Sequence, residues 1–230
     1  MFCHGCGTQV NASDGFCPSC GASLFAAAPP SPGPVWTPRP GITSQTGQWI
    51  GEGWDMVKDD LGVYVALALV TFVLGSMVPF IIQGPLTAGF FIFCMKKTMN
   101  RRAEFSDLFN GFNFFIPALL ASLVIAVFVA IGTLFCIIPG IVVAASCKFT
   151  YLFIVDKRMD FWRAMEASHA VVKNDYFGFS MFLIALTLLN VLGFICCLVG
   201  MLVTMPITVA AITVAYRDIV GFDARNAAAV

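Results

Sequence analysis

The chain has 230 residues, 59% of them hydrophobic and only 11% charged, and its basic and acidic residues cancel to a formal net charge of zero. Soluble domains carry about 25% charged residues, so this composition excludes an ordinary water-soluble globule. The zero net charge gives no electrostatic ground for nucleic-acid binding.

The first element is a metal motif. Cys3-His4-Gly5-Cys6 is followed, ten residues later, by Cys17-Pro18-Ser19-Cys20. Each C-x2-C pair forms a tight knuckle presenting two thiolates, and the loop between them brings the knuckles face to face in a tetrahedral site. Gly7 and Gly21 follow the second Cys of each pair, where a flexible backbone turns amides toward sulfur. The spacing predicts structural Zn2+ on Cys3, Cys6, Cys17 and Cys20, with His4 a bystander. Iron on the same thiolates and a redox dithiol are the competing readings. Disulfides would require an oxidising compartment. With four thiolates no coordination position is open to substrate, so the metal is expected to hold together a segment too short to fold on a core. This motif resembles the short zinc ribbons found at the N-termini of many bacterial membrane proteins.

Residues 26–47 form a Pro/Ala/Ser-rich linker that includes Pro29, Pro30, Pro32, Pro34, Pro38 and Pro40. Such a composition cannot bury a core and favours an extended tether. The expected layout is a ribbon at 1–25, this linker at 26–47, a helical transmembrane domain at 48–219 and a tail at 220–230.

Residues 61–95, 112–147 and 176–216 contain no Asp, Glu, Lys or Arg. A charged group in hydrocarbon costs on the order of 3 kcal/mol or more, so charge-free apolar runs of this length read as membrane spans. No cleavable signal precedes them, and the first span is expected to act as an uncleaved signal. Each run follows a short amphipathic segment, so the domain reads as three repeated units. In the first, Ile50, Trp54, Val57 and Leu61 are expected on one face. In the second these are Phe105, Leu108, Phe109 and Phe112, with Glu104 and Asp107 off that face. In the third they are Phe161, Met165, Ser168 and Val172, with Asp160 as N-cap and Asn174 as a stop. Helices with one apolar and one charged face are expected to lie in the interface. Pro85, Pro139 and Pro206 are expected at turns or helix starts between antiparallel spans. The fold expected is therefore all-α, with about six transmembrane helices as three hairpins. The first hairpin, 61–95, is short enough to be re-entrant.

If each unit is a hairpin, Lys58, Lys96, Lys97, Arg101, Arg102, Lys157, Arg158, Arg163, Lys173 and Arg217 share one side with both termini. The opposite turns, near 79–85, 135–140 and 196–206, carry no basic residue. The positive-inside rule places the basic side in the cytoplasm, here of a bacterial inner membrane, where reduced thiols suit zinc. Lys96, Lys97, Arg101, Arg102, Lys157 and Arg158 are candidate contacts for anionic lipid. Lys148 is expected within the fourth span, about two helical turns before Asp156. It is a candidate intramembrane functional residue with Asp156 and Asn190, although a lysine there also snorkels readily toward headgroups. Thr133, Ser146, Thr187 and Gln83 read as helix–helix hydrogen-bonding groups. Cys94, Cys136, Cys147, Cys196 and Cys197 read as small hydrophobes.

Catalytic signatures are missing: no H-E-x-x-H, no G-x-S-x-G, no phosphate-binding glycine loop and no acidic pair within the spans. Some short motifs carry a resemblance: Pro85-Leu86-x-x-Gly89, Ile138-Pro139-Gly140, Asp156-Lys157 followed by Phe161-Trp162-x-Ala164 and Ser168, and Tyr216-Arg217-Asp218. In these the membrane portion resembles a group of bacterial six-span proteins, and the membrane domain that precedes the catalytic barrel in membrane-anchored glycerophosphodiester phosphodiesterases. The resemblance implies a shared membrane fold; the barrel itself is absent, so no hydrolase activity carries over. The sequence is read as a non-enzymatic scaffold or regulatory subunit that recruits a cytoplasmic protein through its ribbon. The other reading is a transporter or channel for a small solute or lipid.

Overall fold

The structure, a computed structural model, describes residues 8–9, 19, 43–77, 82–135 and 147–222. The chain divides into two compact units, Met1–Trp36 and Thr37–Val230. The four N-terminal cysteines, most of the Pro-rich linker, Ser146 and Pro139 lie outside the described residues, as do residues 223–230.

Every regular element described in the second unit is helical: α1 Thr46–Asp59, α2 Leu61–Met77, α3 Gln83–Thr98 and the single turn α4 Asp107–Asn110. A 3-10 turn, Gly111–Phe114, leads into α5 Phe115–Phe135. The remaining helices are α6 Thr150–Lys157, α7 Phe161–Val172, α8 Tyr176–Ile195 and α9 Cys197–Ile219.

The centre is α3. From Gly84 to Met95 every residue but Thr87 is buried, because α2, α4, α5, α6 and α9 all pack on it. This explains why its sequence is apolar on all sides: a helix without a polar face has no solvent face to offer. Close approach is made possible by glycine at one crossing. A Cβ on Gly89 would stand 1.8 Å from the Leu108 carbonyl oxygen, and one on Gly111 would stand 2.1 Å from that of Pro85. The turn at α4 thus lies backbone to backbone across α3. The C-terminus of α3 closes with Asn100 at φ 53°. The Asn100 and Arg101 amides bond the Lys97 and Lys96 carbonyls, each at 3.0 Å, a Schellman stop for which a left-handed Asn is well suited.

Helices α5 and α8 turn long apolar stripes outward, with Ile116, Leu120, Leu123 and Val127 on one and Met181, Ile184, Leu188 and Val191 on the other. Exposed apolar surface at helical spacing over such lengths suits an apolar surrounding. Among the described residues three runs are long and apolar enough to cross a membrane: Asp107–Phe128, Tyr176–Ile195 and Gly200–Ile219. This corrects the expected six. The first hairpin contributes helices of 17 and 16 residues, about 25 Å each at 1.5 Å per residue, short of a hydrocarbon core of about 30 Å. After α5 the next described helix, α6, has only eight residues.

The amphipathic segments form helices, but their buried faces differ from the expected ones. In α1 the buried residues are Trp49, Gly53 and Val57, while Trp54 is 45% exposed. The face is set by Gly53, whose missing side chain brings α1 against Ala211 of α9; a Cβ there would meet the Ala211 amide nitrogen at 2.8 Å. Trp49 then packs edge-on against Phe182 at 5.2 Å between ring centres. In the second unit only Leu108 of the expected face is buried, and Asp107, expected off it, is buried too. In α7 the buried face is Ala164, Ala167, Ser168, Val171 and Val172; small residues, rather than Phe161 and Met165, permit close packing. Asp160 does occupy the N-cap position of α7, and the helix ends at Val172, two residues before Asn174. Pro206 lies inside α9 rather than at its start. It removes one ladder hydrogen bond, and the reversal falls earlier, at Cys196.

Helix α8 starts on a side-chain cap. Asp175 Oδ1 accepts from the Gly178 amide at 2.9 Å, and Oδ2 accepts from the Ser44 amide at 3.2 Å. These bonds, the one from Gly178 above all, hold the Asp175 carboxyl below the usual carboxylate range. Its contribution is therefore complete at neutral pH and is lost as pH falls through that depressed value, when the protonated carboxyl no longer accepts both bonds. Asp175→Ala is expected to cost about 1 kcal/mol in detergent unfolding at pH 7. Its deficit against the parent chain should shrink in acid; a deficit independent of pH would refute the charged cap.

Candidate functional site

The polar side chains of the helical unit gather at one end, where α3, α6 and α9 finish and α2 begins. Several carboxylates there fasten one element to another. Asp107 of α4 takes Lys96 of α3 at 2.7 Å. It also accepts from the Glu104 amide at 2.9 Å and from Asn110 Nδ2 at 3.0 Å, so this buried charge is compensated on several sides. Lys97 pairs with Asp60 between α1 and α2. Asp156, fully buried at the end of α6, accepts from the Tyr216 hydroxyl of α9 at 3.0 Å and pairs with Lys157 at 3.1 Å. Helix α1 is fastened to the end of α9 twice. Trp49 Nε1 donates to Asp218 at 3.1 Å, and Arg217 Nη2 donates to Glu52 at 2.7 Å. Gln48 Nε2, at 3.0 Å, and Arg217 together hold the Glu52 carboxyl below its ordinary range.

Aromatic rings fill the space beneath. Phe149 meets Phe179 edge-on at 5.8 Å, and Tyr216 meets Phe153 edge-on at 5.2 Å. Ser168 of α7 accepts from the Phe149 amide at 3.2 Å, which joins α7 to the start of α6.

Three of the six cations expected at anionic lipid, Lys96, Lys97 and Lys157, are thus engaged by carboxylates, while Arg101, Arg102 and Arg158 are exposed. Lys148 was expected inside a span. It lies in the turn that precedes α6, with its side chain half-buried. Asn190 belongs to the α8–α9 pair: its Nδ2 donates to Thr208 at 2.7 Å and to the Leu186 carbonyl at 2.8 Å. Thr187 donates to its own helix, to the Leu183 carbonyl at 2.8 Å. Asn190 thus joins α8 to α9, whereas Asp156 joins α6 to α9. Sequence reasoning missed the Trp49–Asp218, Glu52–Arg217 and Asp175 contacts. The signal available was Tyr216-Arg217-Asp218, where a charge-free run ends on a tyrosine followed by two charged residues.

The remaining candidate is the cysteine quartet. Cys3, Cys6, Cys17 and Cys20 lie outside the described residues, but the donor set itself, four thiols in two C-x2-C pairs, is that of a closed tetrahedral site. Residues 2–24 match the zinc-ribbon domain. Members of this domain family bind zinc structurally, and the ribbon occupies the part of the chain that carries all four paired cysteines. Over 162 residues the chain is 25% identical to the uncharacterised protein Rv2560 of Mycobacterium tuberculosis, covering 70% of this chain and 49% of that one. The uncharacterised protein Mb2590 of Mycobacterium bovis matches with the same identity and coverage. The chain spans about half the length of these curated relatives. No solved structure matches. The resemblance to phosphodiesterase membrane domains has no counterpart among these relatives.

Proposed function

We propose that the protein is a non-enzymatic integral membrane scaffold or regulatory subunit whose N-terminal zinc ribbon recruits a cytoplasmic protein partner. The observation that carries this reading is a zinc-ribbon match at residues 2–24 in a chain whose helical unit holds three helices long and apolar enough to cross a membrane. Cys3, Cys6, Cys17 and Cys20 would hold Zn2+. When bound, the ion cross-links the two knuckles, and four thiolates leave no position for Lewis-acid chemistry. Helices α8 and α9 cross the bilayer as an antiparallel pair, and α1, fastened to the end of α9, keeps the ribbon on the cytoplasmic side. Support comes from the basic residues, which share one end of the unit, and from the turn at Cys196, which carries no charge.

The alternative, a solute pathway, has less support. Asn190 and Thr187 are satisfied within α8 and α9. The pocket between α2 and α9 is lined by Ala68, Phe72, Met201, Leu202 and Met205, all apolar. Such surfaces favour helix packing over ion or solute passage.

Deleting residues 1–25 tests the proposal. The shortened chain is expected to insert and resist alkaline extraction like the parent, while the cytoplasmic proteins that co-purify with the parent disappear. Partners retained at the parental level would overturn recruitment through the ribbon.

A further inference from the structure

The elbow between α6 and α7 has features that packing does not explain. Arg158, which ends α6, is left-handed, at φ 50° and ψ 39°. Glycine adopts this conformation without strain, and L side chains avoid it. At the equivalent stop of α3 the chain uses Asn100, one of the few side chains that tolerate it. The Arg158 side chain is exposed, and among the described residues no carboxylate lies within ion-pair distance of it. The same holds for Arg163, five residues on. By contrast, Lys96, Lys97 and Lys157 are all taken up by Asp residues.

The outer face of α7 carries the marks of a headgroup plane. Trp162 is 51% exposed, and its Nε1 donates to Glu166 at 2.9 Å, which fixes the indole on that face. Beyond the other end of the helix Tyr176, also exposed, bonds His169 at 3.2 Å. Amphipathic rings at both ends, with polar residues between, are what a helix lying flat at a membrane surface presents. Phe177, 80% exposed, opens the apolar stripe of α8 directly beside it.

We infer that this elbow binds the phosphate of an anionic phospholipid, with Arg158 and Arg163 as the contacting side chains and Trp162 fixing their depth. Asp160 and Glu166 share the elbow, so selectivity rests on local guanidinium–phosphate pairing with a headgroup that, unlike phosphatidylcholine, brings no cation of its own. The inference rests on the membrane reading given above.

The test uses the full chain in nanodiscs of phosphatidylcholine with a minor fraction of phosphatidylglycerol, probed with a spin-labelled version of each lipid. The parent chain should select phosphatidylglycerol by about fivefold, the effect of roughly one well-placed basic residue at an anionic surface. The double variant R158G/R163Q should lose that preference. R158G alone should unfold no earlier than the parent, since glycine relieves the left-handed strain, whereas K58Q, at an exposed cation paired with Asp55, should keep the preference. Unchanged selectivity in the double variant, or an equal loss of selectivity in K58Q, would overturn the lipid site. Release of the parent chain from membranes by alkaline extraction would instead overturn the membrane reading beneath it.

Discussion

Cys17→Ser is expected to strip the N-terminal segment of its metal and its fold while the helical unit remains intact. Structural zinc in such modules supplies about 10–16 kcal/mol of apparent binding energy, which is also the folding energy of the segment. Changes outside the first coordination sphere already cost roughly 10–100-fold in metal affinity, so removing one of four thiolates should exceed that. Metal analysis of the purified chain should find one zinc per molecule in the parent and almost none in C17S after dialysis against a mild chelator. Cys196→Ser is the control, because that thiol is exposed at the α8–α9 turn and lies outside the ribbon. Zinc retained by C17S would refute the tetrathiolate assignment, and iron in place of zinc in the parent would restore the competing metal.

The largest single-residue effect in the helical unit should come from Gly89→Ala. Its new methyl group would sit 1.8 Å from the Leu108 carbonyl oxygen and 2.6 Å from the carbonyl carbon. These are backbone atoms, so no side-chain rotation relieves the clash. The opposite wall is equally unyielding, since Gly111 lies against the Pro85 oxygen and the Gly89 nitrogen. Separating α3 from α4 would also pull the buried Asp107 away from Lys96. Overpacking a tight site costs up to about 3 kcal/mol, more where backbone must move, and a loss of at least that size is expected in SDS-titration unfolding. Gly62→Ala is the matched control: nothing lies within 4 Å of its Cβ position, and alanine favours a helix by about 1 kcal/mol over glycine. Equal behaviour of the two variants would mean that α4 does not cross α3 at Gly89.

Both experiments fall at positions the sequence treats very differently. The cysteine quartet is legible without coordinates, because metal chemistry fixes ligand type and spacing within a short segment. Gly89 appears in the sequence only as one small residue in an apolar run. Its importance depends on the Leu108 backbone arriving there, which no local pattern encodes.

The same division runs through the helical unit. Charge-free runs identified the apolar helices and put the basic residues at one end, because the cost of a charge in hydrocarbon acts residue by residue. They overstated the number of helices long enough to cross a membrane, because run length does not fix helix length: the run 61–95 is divided between α2 and α3, of 17 and 16 residues. Amphipathic periodicity located α1 and α7 but misjudged their buried faces. The apolar pattern counts Trp54 and Phe161 as core, whereas close packing selects Gly53 in one helix and Ala164 and Ala167 in the other. Lys96, Lys97, Arg101 and Arg102 look alike as a run of basic residues. Only the tertiary structure, by bringing Asp107 to Lys96 and Asp60 to Lys97, showed that these two lysines fasten helices together. The sequence by itself determined composition, metal motif and the polarity of the two ends, since these depend on what each residue is. The tertiary structure decided which faces meet and which charges pair, since these depend on partners distant in the chain.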